Sequence, residues 1–184
     1  MNHQYIAPLL AKNCSSAKSA PAAVLTDCGW DVGNGFQPLT TVQIAVAKGK
    51  KLVVRLFTKE PNPRAKYTQR DDPVWNDSCL EFFFQPIENG AYINLEMNAN
   101  GAYLSAVGVG REERRFLREI TERTVAVQPF RQADGWDVEA QIPFALVEES
   151  IGAPFFLNAG DTLRANAYKC ADAAEQPHYQ ALFP

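Results

Sequence analysis

Histidine is almost missing from this chain: 184 residues contain two, His3 at one end and His178 near the other. That scarcity leaves little for a histidine-based catalytic set. The catalytic signatures G-x-S-x-G and H-E-x-x-H and the phosphate-binding P-loop do not occur. The four cysteines, Cys14, Cys28, Cys79 and Cys170, are too far apart for a C-x-x-C zinc or redox motif. Cys79 and Cys170 fall within strand patterns and read as small buried hydrophobes, while Cys14 and Cys28 could pair only in an oxidising compartment; free thiols are the expectation. Basic excess is also absent. A formal charge of −3 argues against a nucleic-acid or anionic-membrane partner. No apolar run has the length of a transmembrane helix. Met1-Asn2-His3-Gln4-Tyr5 lacks the basic start of a signal peptide, so the expectation is a cytoplasmic protein as written, or an extracytoplasmic one had a leader been trimmed.

What is present is ordinary globular material, 46% apolar and 21% charged, enough for one domain over residues 1–184 with a core of its own. The dominant hydrophobic period is two. Segments 42–48 and 52–58 alternate around Gly49-Lys50 and read as a hairpin. Segments 79–85, 91–98 and 102–109 form a meander whose links contain Asn89-Gly90 and Asn100-Gly101. Segments 124–130 and 136–142 make a further hairpin, and 163–170 a late strand. Residues 111–120 read as one or two charged helical turns with Arg111, Arg114, Arg115 and Arg118 on a solvated face, and 145–149 as another turn. The fold class expected is all-β, an antiparallel β-sandwich of jelly-roll type with at most one or two short helices.

Alternation splits each strand into two faces. Ile93, Leu95 and Met97 oppose Tyr92, Asn94, Glu96 and Asn98. Leu80, Phe82 and Phe84 oppose Glu81, Phe83 and Gln85, and Ala165 and Ala167 oppose Arg164, Asn166 and Tyr168. An ordinary wet face accounts for Glu96 and Gln85. It accounts less well for Glu81, set between Cys79 and Phe83. The block from Asp72 to Phe84 places Trp75, a flat apolar platform, six residues before Glu81, a fixed acceptor. A neutral polyhydroxylated ligand offers C–H faces to stack and hydroxyls to orient, and requires both elements. Trp30 and Trp136 lie in apolar patterns and are expected in the core. The long segment 59–76, rich in Pro, Asn, Arg and Asp, exceeds an ordinary connection.

Several pieces in order resemble carbohydrate-binding module family 9-like domains of the DOMON-like superfamily. They are Asp72 to Phe83, Tyr92 to Asn98, Gly110-Arg111, Trp136 to Glu139 with Ile142-Pro143-Phe144, Arg164 to Cys170, and His178-Tyr179. The resemblance implies a non-catalytic sandwich that binds a mono- or oligosaccharide, with structural calcium in many members and no other cofactor. It implies Trp75 as one of two stacking tryptophans, Glu81 as a carboxylate on sugar hydroxyls, and Arg111 and Asn166 as further polar contacts. Asn94 and His178 complete the candidate site. The second tryptophan would fall near position 182, where this chain has Leu182 between Tyr179 and Phe183.

Two other readings stand beside this one. A haem-binding electron-transfer domain would use Met97 and His178 as axial ligands, although Met97 alternates with core positions. An accessory module of a glycoside hydrolase system is the other. A glycosidase-like carboxylate pair requires a separation across a cleft, which sequence does not supply.

Overall fold

Hydrophobic alternation in the middle of the chain produces long, mutually paired strands, and these build two antiparallel sheets. The structure, a computed structural model, describes residues 3–11, 14–29, 33 and 35–184. One sheet has the order β1-β2-β3-β9-β8: β1 (Ala23–Val24), β2 (Thr40–Ala47), β3 (Lys51–Thr58), β8 (Ala126–Arg131) and β9 (Trp136–Pro143). The other has six strands, β11-β10-β4-β5-β6-β7: β4 (Cys79–Gln85), β5 (Tyr92–Asn98), β6 (Tyr103–Gly108), β7 (Arg115–Phe116), β10 (Arg164–Cys170) and β11 (Gln180–Ala181). Pro129 is tolerated in β8 because that strand pairs with β9 on one side only, leaving an edge where a missing N–H breaks no ladder. Asn89 and Gly101, at φ 56° and 80°, turn the two meander links as their dipeptides predict.

The β-sandwich expectation holds, and each strand turns the expected face inward. Leu80, Phe82, Phe84, Ile93, Leu95 and Met97 meet Val54, Leu56, Val138 and Ile142 in one core. Trp136 is in this core, whereas Trp30 lies outside the described residues. One α-helix, α1 (Phe144–Ile151), follows β9 and closes on Gly152, whose left-handed backbone (φ 69°) lets its N–H reach the Glu148 carbonyl. The helical turns expected at 111–120 form, but a short strand interrupts them. Arg115–Phe116 pairs with β6, and single 3₁₀ turns at Arg111–Glu113 and Leu117–Glu119 flank it, so the arginines do not line one helical stripe.

Both outer faces are covered. On the five-stranded sheet the N-terminal segment lies over Ala45 and Val53, and Glu139 accepts hydrogen bonds from Ser16 Oγ and Ala17 N–H. On the six-stranded sheet the cover is the long segment between β3 and β4, held by Asp77. This fully buried carboxylate accepts from Arg64 Nη1 at 2.7 Å, from the backbone N–H groups of Lys66 and Tyr67 at 2.9 and 3.0 Å, and from Asn98 Nδ2 at 2.9 Å. Arg64 also donates to the Ala173 carbonyl, tying the segment to the exit of β10. Asp77→Ala would leave these donors facing an apolar methyl group. A loss of about 3 kcal/mol in urea unfolding is expected, with faster hydrogen exchange at amides 64–77 and unchanged protection in β5.

Candidate functional site

The strand registers place the polar residues of the six-stranded sheet in rows. Tyr168, Glu81 and Glu96 are neighbours across β10, β4 and β5, and Asn166, Phe83 and Asn94 form the next row. The Phe83 ring lies 5.1 Å from that of Tyr168 and 5.9 Å from that of Tyr92, an aromatic belt across the face. This face is not the wet surface expected for Glu96. Asn94 is completely buried, Glu96 is 5% exposed and Glu81 9%. The cover segment, the turn after β6 and the tail after β10 enclose them. Trp75, Tyr67, Phe116 and Tyr179 pack from these segments onto Val74, Cys79, Leu104 and Cys170.

Two carboxyls side by side in a poorly hydrated place cannot both ionise easily. Burial first, then the charge of Glu96, pushes Glu81 up to about 8, so it is largely protonated at neutral pH. Burial likewise raises Glu96, against the opposing pull of the Asn94 amide and the Arg114 and Arg111 charges. Asn94 Nδ2 donates to Glu96 Oε1 at 2.7 Å, and Arg114 Nη1 approaches the same oxygen at 3.5 Å. Cys170 Sγ donates to Glu81 Oε1 at 2.8 Å. Asn94 Oδ1 is buried with no partner among the described residues, an acceptor held ready where few groups are left unsatisfied.

Of the residues singled out by sequence, Trp75, Glu81, Asn94 and Arg111 converge here. Trp75 is half-buried in a 3₁₀ turn, Val74–Asn76, whose backbone is stitched to the β10 exit by Asp172 N–H on Trp75 O and Ala173 N–H on Asn76 O. Arg111 is exposed, close enough for its charge to act on Glu96. Asn166 lies on the face, but its amide is committed to the tail: Nδ2 donates to Phe183 O at 2.9 Å and Oδ1 accepts from Phe183 N–H at 3.1 Å.

His178 is not brought to this face. Alternation in the tail sends Tyr179 outward and His178 inward, where it is 2% exposed beside Glu60, Lys169 and Phe36. Burial and the Lys169 charge push its imidazole below the ordinary value, favouring the neutral form. Glu60, by contrast, is raised by burial but more than offset by Lys169, Ser78, Trp136 and His178, so it stays an acceptor for this inner network. Met97 is fully buried in the packed core, with Leu80 and Lys169 standing between it and the tail strand in the register, and His178 is packed against Phe36, so the described residues leave no space for a porphyrin between Met97 and His178. Sequence reasoning missed Glu96, Phe83 and Tyr168, whose alternation with core residues was visible but whose cover was not, and Arg114, which it placed on a solvated helical face.

Among the described residues no three acidic side chains come together as an oxygen-only set for calcium. That ion takes six to eight oxygens, while the acids of the cover segment are already engaged. Asp77 is held as above, Asp72 accepts from the N–H groups of Thr68 and Gln69, and Asp71 faces Arg70 and Arg118.

The model of carbohydrate-binding family 9 matches residues 14–184. The chain belongs to this family. No curated protein matches the sequence. Among solved structures, this family 9 domain is similar to a Bacteroides uniformis protein proposed to bind carbohydrate. The TM-score is 0.76 at 20% identity, over 96% of this chain and 87% of that one. It is also similar to a family 9 module from Caldicellulosiruptor kristjanssonii in complex with glucose, with TM-score 0.63 at 11% identity, over 97% and 83% of the two chains. The cellotriose complex of a family 9 module from the same organism gives 0.65 at 10% identity, with the same coverage. At these identities the likeness is one of fold.

The buried carboxyls of the family 9 domain carry a pH signature. Glu81 holds its proton in the folded state up to about 8 but loses it near 4.5 when unfolded. The folded state therefore binds more protons between those values, and stability falls as pH rises through that window. Thermal unfolding from pH 5 to 8.5 is expected to show this decline in the wild type and a flatter profile in Glu81→Gln.

Proposed function

We propose that this family 9 domain is a non-catalytic module that binds a neutral glucose-based saccharide on the covered face of the six-stranded sheet. The observation that carries this is the unused acceptor Asn94 Oδ1, buried beside a protonated Glu81 under a rim of half-buried aromatic rings. Sugar hydroxyls both donate and accept, so an acceptor and an acid proton side by side match one pair of adjacent hydroxyls. Trp75 supplies an apolar face for ring C–H groups. Arg114 and Arg111 oppose the burial that raises Glu96, and Arg114, 3.5 Å from its Oε1, holds it in place as a second acceptor.

The glucose and cellotriose complexes of the Caldicellulosiruptor modules support the choice of sugar. Leu182 packs toward the core and Phe183 lies against His3, so neither replaces a second tryptophan. Tyr179, packed on the same cluster as Trp75, takes that part in this reading. Asn166 positions the tail, and His178 anchors it from the inner side.

Calorimetry with glucose, cellobiose and cellotriose tests the reading. Binding is expected to weaken about tenfold in Trp75→Ala, roughly 1.4 kcal/mol, and less in Tyr179→Ala. Equal affinity of wild type and Trp75→Ala for every sugar bound would reject the assigned face.

A further inference from the structure

The strand register brings together two cysteines that are 91 positions apart in sequence, 79 and 170, as direct cross-strand partners of β4 and β10. Glu81 follows Cys79 by two residues and so shares its face. The two thiols and the Glu81 carboxylate each offer one ligand atom, and all three atoms lie within 4.8 Å of one another. Among the described residues this is the only such grouping of histidine, cysteine or acidic side chains. Both cysteines are free thiols.

We propose that Cys79, Cys170 and Glu81 form a binding site for a thiophilic divalent cation of the zinc type, with its fourth position open toward the covered face. Two sulfurs and one carboxylate oxygen form an accepted donor set for four-coordinate zinc and a poor one for calcium or magnesium. With Zn–S near 2.3 Å and Zn–O near 2.1 Å, tetrahedral geometry sets the ligand atoms roughly 3.6–3.8 Å apart. The Cys170 Sγ to Glu81 Oε1 contact of 2.8 Å would open by about an ångström to admit the ion.

The site is rigid, because Cys79 and Cys170 sit in paired strands and Cys170 Sγ also reaches Trp75 O at 3.7 Å. Cys79 is fully buried, whereas Cys170 and Glu81 each keep 9% exposure, which places the remaining access on their side. Burial pushes the Cys79 thiol up to about 11 in the cation-free state. Binding therefore replaces the two thiol protons and the carboxyl proton by the cation, and those protons pass to solvent. The inference goes beyond sugar binding and does not rest on it.

Cobalt(II) titration under a phosphine reductant tests it. One equivalent is expected to give a thiolate-to-cobalt charge-transfer band with the strong visible bands of a four-coordinate ion, and zinc should displace it. The band should persist in Cys14→Ser/Cys28→Ser and in Trp75→Ala, disappear in Cys79→Ser/Cys170→Ser, and need at least tenfold more cobalt in Glu81→Gln. X-ray absorption of the zinc-loaded wild type, which needs no variant to fold, should show two sulfur ligands. Absence of the charge-transfer band, its loss in Cys14→Ser/Cys28→Ser, or a zinc shell of nitrogen and oxygen only would overturn the proposal.

Discussion

One buried carboxylate organises the functional half of this molecule. Asp77 sits at the entrance to β4 and draws Arg64, two backbone amides and Asn98 onto its two oxygens. Without that convergence the segment between β3 and β4 has little to hold it, since it forms no strand and only one 3₁₀ turn. With it, Tyr67 and Trp75 are laid on the outer face of the six-stranded sheet, and an antiparallel face that would ordinarily be wet becomes a second, polar interior. An ion pair with one partner fully buried is weak evidence for net stability. Its consequence here is placement.

Closing that face changes the chemistry of what lies under it. Glu81 and Glu96 would be ordinary ionised surface acids if exposed. Enclosed, Glu81 is raised by burial and by the Glu96 charge and becomes a donor, while Glu96 is raised mainly by burial and accepts from Asn94. Asn94 is left with an unused oxygen and Cys170 with a short contact to Glu81. Polar groups so arranged cost stability unless something satisfies them. Saccharide recognition and thiophilic cation binding are two different ways of meeting that demand, centred on the same carboxyl.

Much of this was legible beforehand because a strand's alternation is a local property. Leu80, Phe82 and Phe84 point inward, and Glu81 and Phe83 outward, by the pleat alone. The two turn dipeptides and the sandwich follow from the same kind of reading. Failures came where a side chain's surroundings are supplied from far along the chain. Glu96 looked solvated because nothing near it in sequence reveals the segment that covers it. His178 looked like a ligand because its neighbours are irregular, yet its inward direction is set by the pairing of Gln180 with Lys169. Arginine spacing at 111–118 suggested one solvated helical face, and pairing of Arg115–Phe116 with β6 divides it into two separate turns.

The sequence by itself determined which residues form strands, which face of each is apolar, and that an aromatic platform and an acid stand close together in the chain. Those facts depend on neighbours one or two positions away, and the pleat transmits them directly. Tertiary structure alone decided that the polar face is enclosed, that Asn166 serves the tail while Asn94 keeps an unused oxygen, and that Cys79 meets Cys170. Each depends on which strands become neighbours and on what is laid over them. That is settled by the joint burial of the whole core and is carried by no short stretch of the chain.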